Sequence, residues 1–116
     1  MKEKTLSRIL SLILAMMKKL GKQGEIKTLY VLTVTLPDPK SKKAAEKAII
    51  TLLKKEKCPY AQHKTRSAKK MREEKNILRF YLAMIDEETA STLAETIGQS
   101  FPTTLSREER TLHKGM

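Results

Sequence analysis

Residues 25–36 read EIKTLYVLTVTL, and this stretch decides the fold. Apolar residues recur at every second position, which is the period of a β-strand. One face of the strand is strongly apolar and carries Ile26, Tyr30, Leu32, Val34 and Leu36. Leu29 and Val31 make the opposite face partly apolar as well. We therefore expect a strand that is covered on both faces and lies in the interior of a sheet.

A second strand is predicted at residues 77–85, ILRFYLAMI, where Leu78, Phe80, Leu82 and Met84 share one face. Each of the two strands is followed by a helix-start signal. Asp38 with Pro39 predicts a helix that runs to about residue 57, and Asp86 predicts one that ends at Gly98. An aspartate before a helix caps its first free N–H groups, so both aspartates are interpreted as N-caps.

The ends and the middle of the chain are harder to assign. Residues 1–22 have the spacing of an amphipathic helix. Ser106 with Glu109 forms a capping-box pattern, which predicts a short helix to about Lys114. Residues 58–76 have no apolar periodicity, and three alternatives stay open there: a strand at 60–65, a helix at 67–75, or a loop.

These elements predict a single α+β domain over residues 1–116, with the order α-β-α-(β)-β-α-α. Its parts are the N-terminal helix at 1–22, a central α/β unit at 25–98, and a C-terminal tail with a short helix at 99–116. A sheet of two or three strands packed with helices is expected, and the central unit fits a partial ferredoxin-like core. That likeness is architectural and carries no function.

Charge is the strongest functional signal in the sequence. The 116 residues carry a net charge of +11. Residues 40–79 contain fourteen Lys and Arg against four Asp and Glu, a net +10, whereas residues 86–116 are net −3. A field of this kind attracts polyanions, and its concentration in one segment favours a binding surface over general solubility.

Nucleic acid, DNA or RNA, is the expected partner, bound through its phosphates. Tyr81 is included because an aromatic ring beside a cation, Arg79, is typical of single-strand binding. The candidate binding residues are Lys40, Lys42, Lys43, Lys47, Lys54, Lys55, Lys57, Lys64, Arg66, Lys69, Lys70, Arg72, Lys75, Arg79 and Tyr81.

Two catalytic hypotheses each have a simpler alternative. Asp38 and Asp86 would hold Mg²⁺ together if their strands were parallel neighbours, as in a nuclease, but capping explains each residue separately. His63, with Tyr60 and nearby cations, would supply acid–base chemistry, but a single histidine in a loop is ordinarily a polar loop residue. We therefore predict no catalytic residue, no metal and no cofactor.

The sequence leaves other partners open. An interaction protein that docks an acidic protein is the alternative function, and a small nuclease is the third. A homodimer through the N-terminal helix is a further alternative, whereas no membrane partner is expected because the longest apolar run is far too short to span a bilayer. Cys58 is the single cysteine, which fits a reducing compartment such as the cytoplasm.

Overall fold

A computed structural model describes residues 3–24, 26–63 and 68–113. The described chain contains four α-helices, one 3₁₀ turn and four strands. In chain order these are α1 (Glu3–Leu20), β1 (Ile26–Thr35), the 3₁₀ turn (Pro39–Ser41), α2 (Lys42–Lys55), β2 (Tyr60–His63), α3 (Ala68–Glu73), β3 (Ile77–Leu82), α4 (Glu87–Gly98) and β4 (Thr103–His113). The α+β class predicted from the sequence is confirmed.

The four strands form one antiparallel sheet in the order β2-β3-β1-β4. With α2 between β1 and β2 and α4 between β3 and β4, this is the complete ferredoxin-like arrangement, whereas only a partial one was predicted. The sheet has four strands rather than two or three. Strand β1 lies between β3 and β4, which confirms its predicted interior position.

Helices cover both faces of the sheet. Helices α2 and α4 pack on the face that carries Leu32, Phe80 and Leu82, and all three of these side chains are fully buried. Helix α1 packs on the opposite face, where Ile13 contacts the cluster that contains Leu29. The alternation in β1 therefore separates two cores on either side of one strand.

One residue of β1 lies on the face opposite to the predicted one. Ile26 belongs to the core under α1, although the alternation placed it with Tyr30 on the other face. The pairing of β1 with β4 shifts between Ile26 and Thr28, and such an irregularity changes the face that the following side chains occupy.

The predicted C-terminal helix is wrong, because residues 103–113 form the edge strand β4. The Ser106–Glu109 capping box is a local signal that stabilises a helix by about 1 kcal/mol. Pairing with β1 gives this segment a long series of backbone hydrogen bonds and also packs Leu105 against the core. These tertiary interactions outweigh the local preference.

Two of the alternatives for residues 58–76 occur together. Strand β2 pairs antiparallel with β3, and α3 follows it as a short helix that buries none of its residues. Residues 64–67, which include Lys64 and Arg66, lie outside the described parts of the chain. In the described residues, no helix is long and apolar enough to cross a membrane.

Both predicted N-caps are confirmed. The Asp38 carboxylate accepts a hydrogen bond of 2.9 Å from the Lys40 N–H, and the Asp86 carboxylate accepts one of 2.7 Å from the Thr89 N–H. Hydrogen bonding from the Thr89 side chain, together with that from its N–H, also holds the pKa of Asp86 below its usual value. The helix after Asp38 starts as the 3₁₀ turn and becomes α-helical at Lys42.

Helix α2 ends on a lysine in a conformation that favours glycine. Lys57 has φ +53°, in the left-handed region, and the Cys58 N–H that follows donates to the Leu53 carbonyl at 3.0 Å. These features form a Schellman-type helix end, in which a side chain at the left-handed position costs energy.

We expect Lys57→Gly to raise the free energy of unfolding by about 1 kcal/mol, because glycine removes the strain at this position. The matched control is Lys55→Gly, which removes the same charge at the last residue of α2. There glycine should lower the free energy of unfolding by up to about 1 kcal/mol. Urea denaturation of both variants measures the two effects, and a destabilised Lys57→Gly would contradict this account of the helix end.

Candidate nucleic-acid interface

The antiparallel sheet has two ends, and the structure gathers the candidate cations mainly at one of them. Strand β1 finishes at the end where β3 begins. The Leu36 N–H donates to the Asn76 carbonyl at 2.8 Å, and the Asn76 side chain donates to the Leu36 carbonyl at 3.1 Å. These bonds hold the segment after α3 beside the segment that leads into α2.

We call this place the basic end. It brings together the start of α2, helix α3 and the start of β3. All of its cations are exposed except Lys42 and Arg79, which are partly buried. Its members are Lys40, Lys42, Lys43, Lys69, Lys70, Arg72, Lys75 and Arg79.

Other predicted binding residues lie elsewhere. Lys54, Lys55 and Lys57 are exposed at the other end of α2, which we call the far end. The fourteen residues of α2 make the two groups of lysines about 20 Å apart. Lys47 is exposed between them. The far end also carries the acidic first turn of α4, with Glu87 and Glu88.

A groove of about 430 Å³ opens at the basic end, between the first turns of α2, the end of β2 and helix α3. Lys42, Lys75 and Arg79 supply its positive charge. Its walls also include apolar side chains, those of Met71, Ile77 and Leu78, and the polar side chains of Glu46, Gln62, His63 and Glu74.

The two carboxylates of the groove are held by neighbouring donors. Glu74 accepts a hydrogen bond of 2.8 Å from Arg79, and this bond holds the pKa of Glu74 below its usual value. Glu46 accepts a bond of 3.1 Å from the Gln62 amide. Arg79 is therefore fixed in orientation by an ion pair, while its side chain remains about one-third exposed.

His63 lines the groove, and the pKa of its ring is lowered from the ordinary value. Burial lowers the pKa of its imidazole, and the positive charges of Arg79, Lys70 and Arg8 lower it further, against the opposing effect of Glu74. The ring packs edge-on against Tyr81, with 6.3 Å between the ring centroids.

The proposed partnership of His63 with Tyr60 is not formed. The two residues are three positions apart in β2, so their side chains lie on opposite faces of the sheet. Tyr60 packs against Phe80 on the face under α2, with 6.2 Å between the ring centroids. Burial and the charge of Glu46 raise the Tyr60 pKa. Acid–base chemistry by this pair is therefore excluded by the geometry.

Tyr81 is also placed differently from the prediction. Its side chain belongs to the core beneath α1 and is only 6% exposed. An aromatic ring stacks on a base only when one of its faces is accessible, so Tyr81 is withdrawn from the binding set.

The carboxylate pair is separated by the fold. Strands β1 and β3 are neighbours but antiparallel, so Asp38 follows one strand at the basic end and Asp86 follows the other at the far end. Within the described residues, no three His, Cys, Asp or Glu side chains are grouped closely enough to hold a metal ion. The Mg²⁺ hypothesis for Asp38 and Asp86 is thus wrong.

Cys58 is part of the core. The residue is 1% exposed, its thiol points to the backbone carbonyls of Pro59 and Ala83, and burial raises the pKa of the thiol to about 12. The thiol is protonated at neutral pH and is therefore a poor nucleophile.

Sequence reasoning missed several residues of the groove. Gln62 and Glu46 carry no motif, and only the pairing of β2 beneath α2 brings them together. Met71 did give a signal, because it is a single apolar residue between Lys70 and Arg72 in a charged stretch. A single apolar residue has no periodicity, however, so the rules that identify helices and strands do not detect it.

We expect the His63 pKa to lie below about 6.5 and to fall further in Glu74→Gln, because the variant removes the negative charge that raises it. Glu46→Gln removes a charge from the same groove and should leave the His63 pKa nearly unchanged.

Because the unfolded chain binds the proton more readily, His63 should reduce stability as the pH falls below about 6.5. Proton NMR titration, with His113→Gln for assignment, measures these values; a raised His63 pKa would contradict the account.

No protein-family model matches this chain, and no curated protein is significantly similar to it in sequence. What can be inferred about its function therefore comes from the chemistry of the basic end.

Proposed function

We propose that this protein binds nucleic acid through phosphate contacts of the basic end and catalyses no reaction on it. One observation carries the proposal. The lysines at the start of α2, the cations of α3 and Lys75 all lie at the same end of the sheet. These residues are far apart in the sequence, and the fold makes one cationic surface of them.

Helix α3 supports this proposal because folding does not explain it. The helix buries none of its residues, so it adds little to the core, yet it carries the exposed cations Lys69, Lys70 and Arg72, and its Met71 lines the groove. Clustered cations repel one another and reduce stability unless a counter-charge is bound. A polyanion supplies such a counter-charge and releases the ions condensed on it.

The charge of the far end is mixed, which favours the basic end as the binding surface. Asp86, Glu87 and Glu88 open α4 there, and Glu87 accepts an ion-pair contact of 3.4 Å from Arg107. A phosphate backbone would meet carboxylates as well as Lys54 and Lys55 at this place. The basic end also carries carboxylates, those of Asp38, Glu46, Glu73 and Glu74, but its eight cations outnumber them.

The proposal is tested with two variants that remove equal charge. The basic-end variant combines Lys43→Gln, Lys69→Gln, Arg72→Gln and Lys75→Gln, and all four side chains are exposed. The far-end variant combines Lys19→Gln, Lys54→Gln, Lys55→Gln and Lys57→Gln, which are exposed as well. Lys19 lies in the last turn of α1, which leads into the start of β1 at the far end. Fluorescence anisotropy with labelled RNA, single-stranded DNA and duplex DNA at several salt concentrations gives the affinities.

We expect the basic-end variant to bind on the order of ten- to a thousandfold more weakly at about 0.1 M salt, with a salt slope reduced by up to about 0.9 per lost contact on duplex DNA. The far-end variant should bind nearly as tightly as the parent protein. Equal losses in both variants would show that net charge drives the binding. Absent or salt-insensitive binding by the parent would overturn the proposal and favour an acidic protein as the partner.

We also expect the bound strands to remain intact when Mg²⁺ or Mn²⁺ is added. The two aspartates that a metal site would have used cap helices at opposite ends of the sheet. Gel electrophoresis of labelled RNA and DNA after prolonged incubation is the measurement. Metal-dependent cleavage that is lost in Asp38→Asn or Asp86→Asn, with the fold retained, would show that the protein is a nuclease.

A further inference from the structure

We infer that the groove at the basic end takes an unstacked base of a single-stranded nucleic acid, so that the strand is held by its bases as well as by its phosphates. This inference rests on the proposed function and names the substrate class of the same site. Four features of the groove support it: its apolar wall, its hydrogen-bonding groups, its fixed guanidinium and its size.

The apolar wall has no role in phosphate binding. Met71 is 54% exposed in the middle of the charged helix α3, and it faces the groove together with the partly buried Ile77. In a concave site with polar groups, an apolar wall of this kind offers contact to an apolar part of a ligand. A nucleobase has such a surface in its two ring faces, whereas phosphate and sugar do not.

The groove also offers groups that contact the edge of a base. The Gln62 amide donates to Glu46 through Nε2 at 3.1 Å, and it retains a carbonyl oxygen and a second N–H for other partners. An amide and a carboxylate side by side present both acceptors and a donor. Single-stranded bases are recognised by hydrogen bonds of this kind to their exposed edges.

Planar groups line the other side of the groove, because His63 and Arg79 lie on the face of the sheet opposite to Gln62. The Arg79 guanidinium is held by Glu74 at 2.8 Å and keeps about one-third of its surface exposed. A guanidinium plane stacks on bases, and fixing it beforehand reduces the entropy lost on binding. The His63 ring is half-buried beside it and adds a second flat surface.

The size and position of the groove favour a single strand over a duplex. Its volume of about 430 Å³ is that of a small-molecule site. The bases of a duplex are stacked and paired, so one of them would have to be flipped out at an energetic cost before it entered the groove. A single strand offers its bases without that cost, while its phosphates reach Lys42 and Lys75 at the rim.

A tryptophan placed in the groove tests the inference directly, because the chain contains none. In Met71→Trp, the indole should be quenched when single-stranded RNA or DNA binds, since base stacking quenches indole fluorescence. Leu12→Trp is the matched control: Leu12 is 49% exposed on α1 and does not line the groove. Its indole should keep its fluorescence, and duplex DNA should quench neither variant.

The charge-neutral variant Met71→Ser gives a second readout. It should weaken single-strand binding roughly five- to tenfold and leave the salt slope unchanged, because apolar contact is lost while the phosphate contacts remain. Leu12→Ser should have no effect. Equal affinity for duplex and single strand, or an unquenched indole in Met71→Trp when anisotropy shows the strand bound, would overturn the inference and leave the proposed function standing. If anisotropy shows no binding of any nucleic acid, the proposed function itself fails.

Discussion

Burial of β1 on both faces is the constraint on which the rest of the structure depends. The strand is hydrogen-bonded to β3 on one side and to β4 on the other, so its backbone polar groups are satisfied within the sheet. Leu29 and Leu32 point to opposite faces and are both fully buried. Burial of each such side chain stabilises the fold by about 1.5–3 kcal/mol, and it requires a layer of helix on each face. The sheet surface is thereby occupied, and its ends and edges are left for binding.

The sequence predicts the parts of the fold that depend on local rules. The period of two in β1 and β3 identifies the inward-facing residues, and Asp38 and Asp86 mark the starts of two helices because capping is a local interaction. Strand β4 could not be found in this way. Its segment contains a helix-start pattern and only two apolar residues, Leu105 and Leu112, and it becomes a strand because β1 has an unpaired edge. The burial of Tyr81 cannot be predicted from the sequence for a similar reason, because it depends on where α1 packs.

For the candidate site too, the sequence predicts the local features but not those that depend on tertiary structure. The sequence shows that positive charge is concentrated in residues 40–79, but it does not show that the length of α2 separates Lys42 and Lys43 from Lys54 and Lys55. A list of cations also gives no sign of a concave surface. The groove arises because the connection from β2 to β3 folds back beside the start of α2, and Asn76 and Leu36 hold the two segments together. That contact joins residues forty positions apart, beyond the reach of any local pattern.

The order of the strands also constrains how the protein is made. Strand β1 is the first to leave the ribosome, yet its partners are β3 and β4, the last two strands of the chain. During synthesis, an apolar stretch with high β-propensity and no proline therefore has α1 beside it but no strand to pair with until β3 emerges. Pairing between distant segments slows folding, and unpaired strands of this composition associate with one another. Production of this protein in a folded form thus depends on keeping β1 from other nascent chains until β3 has been synthesised.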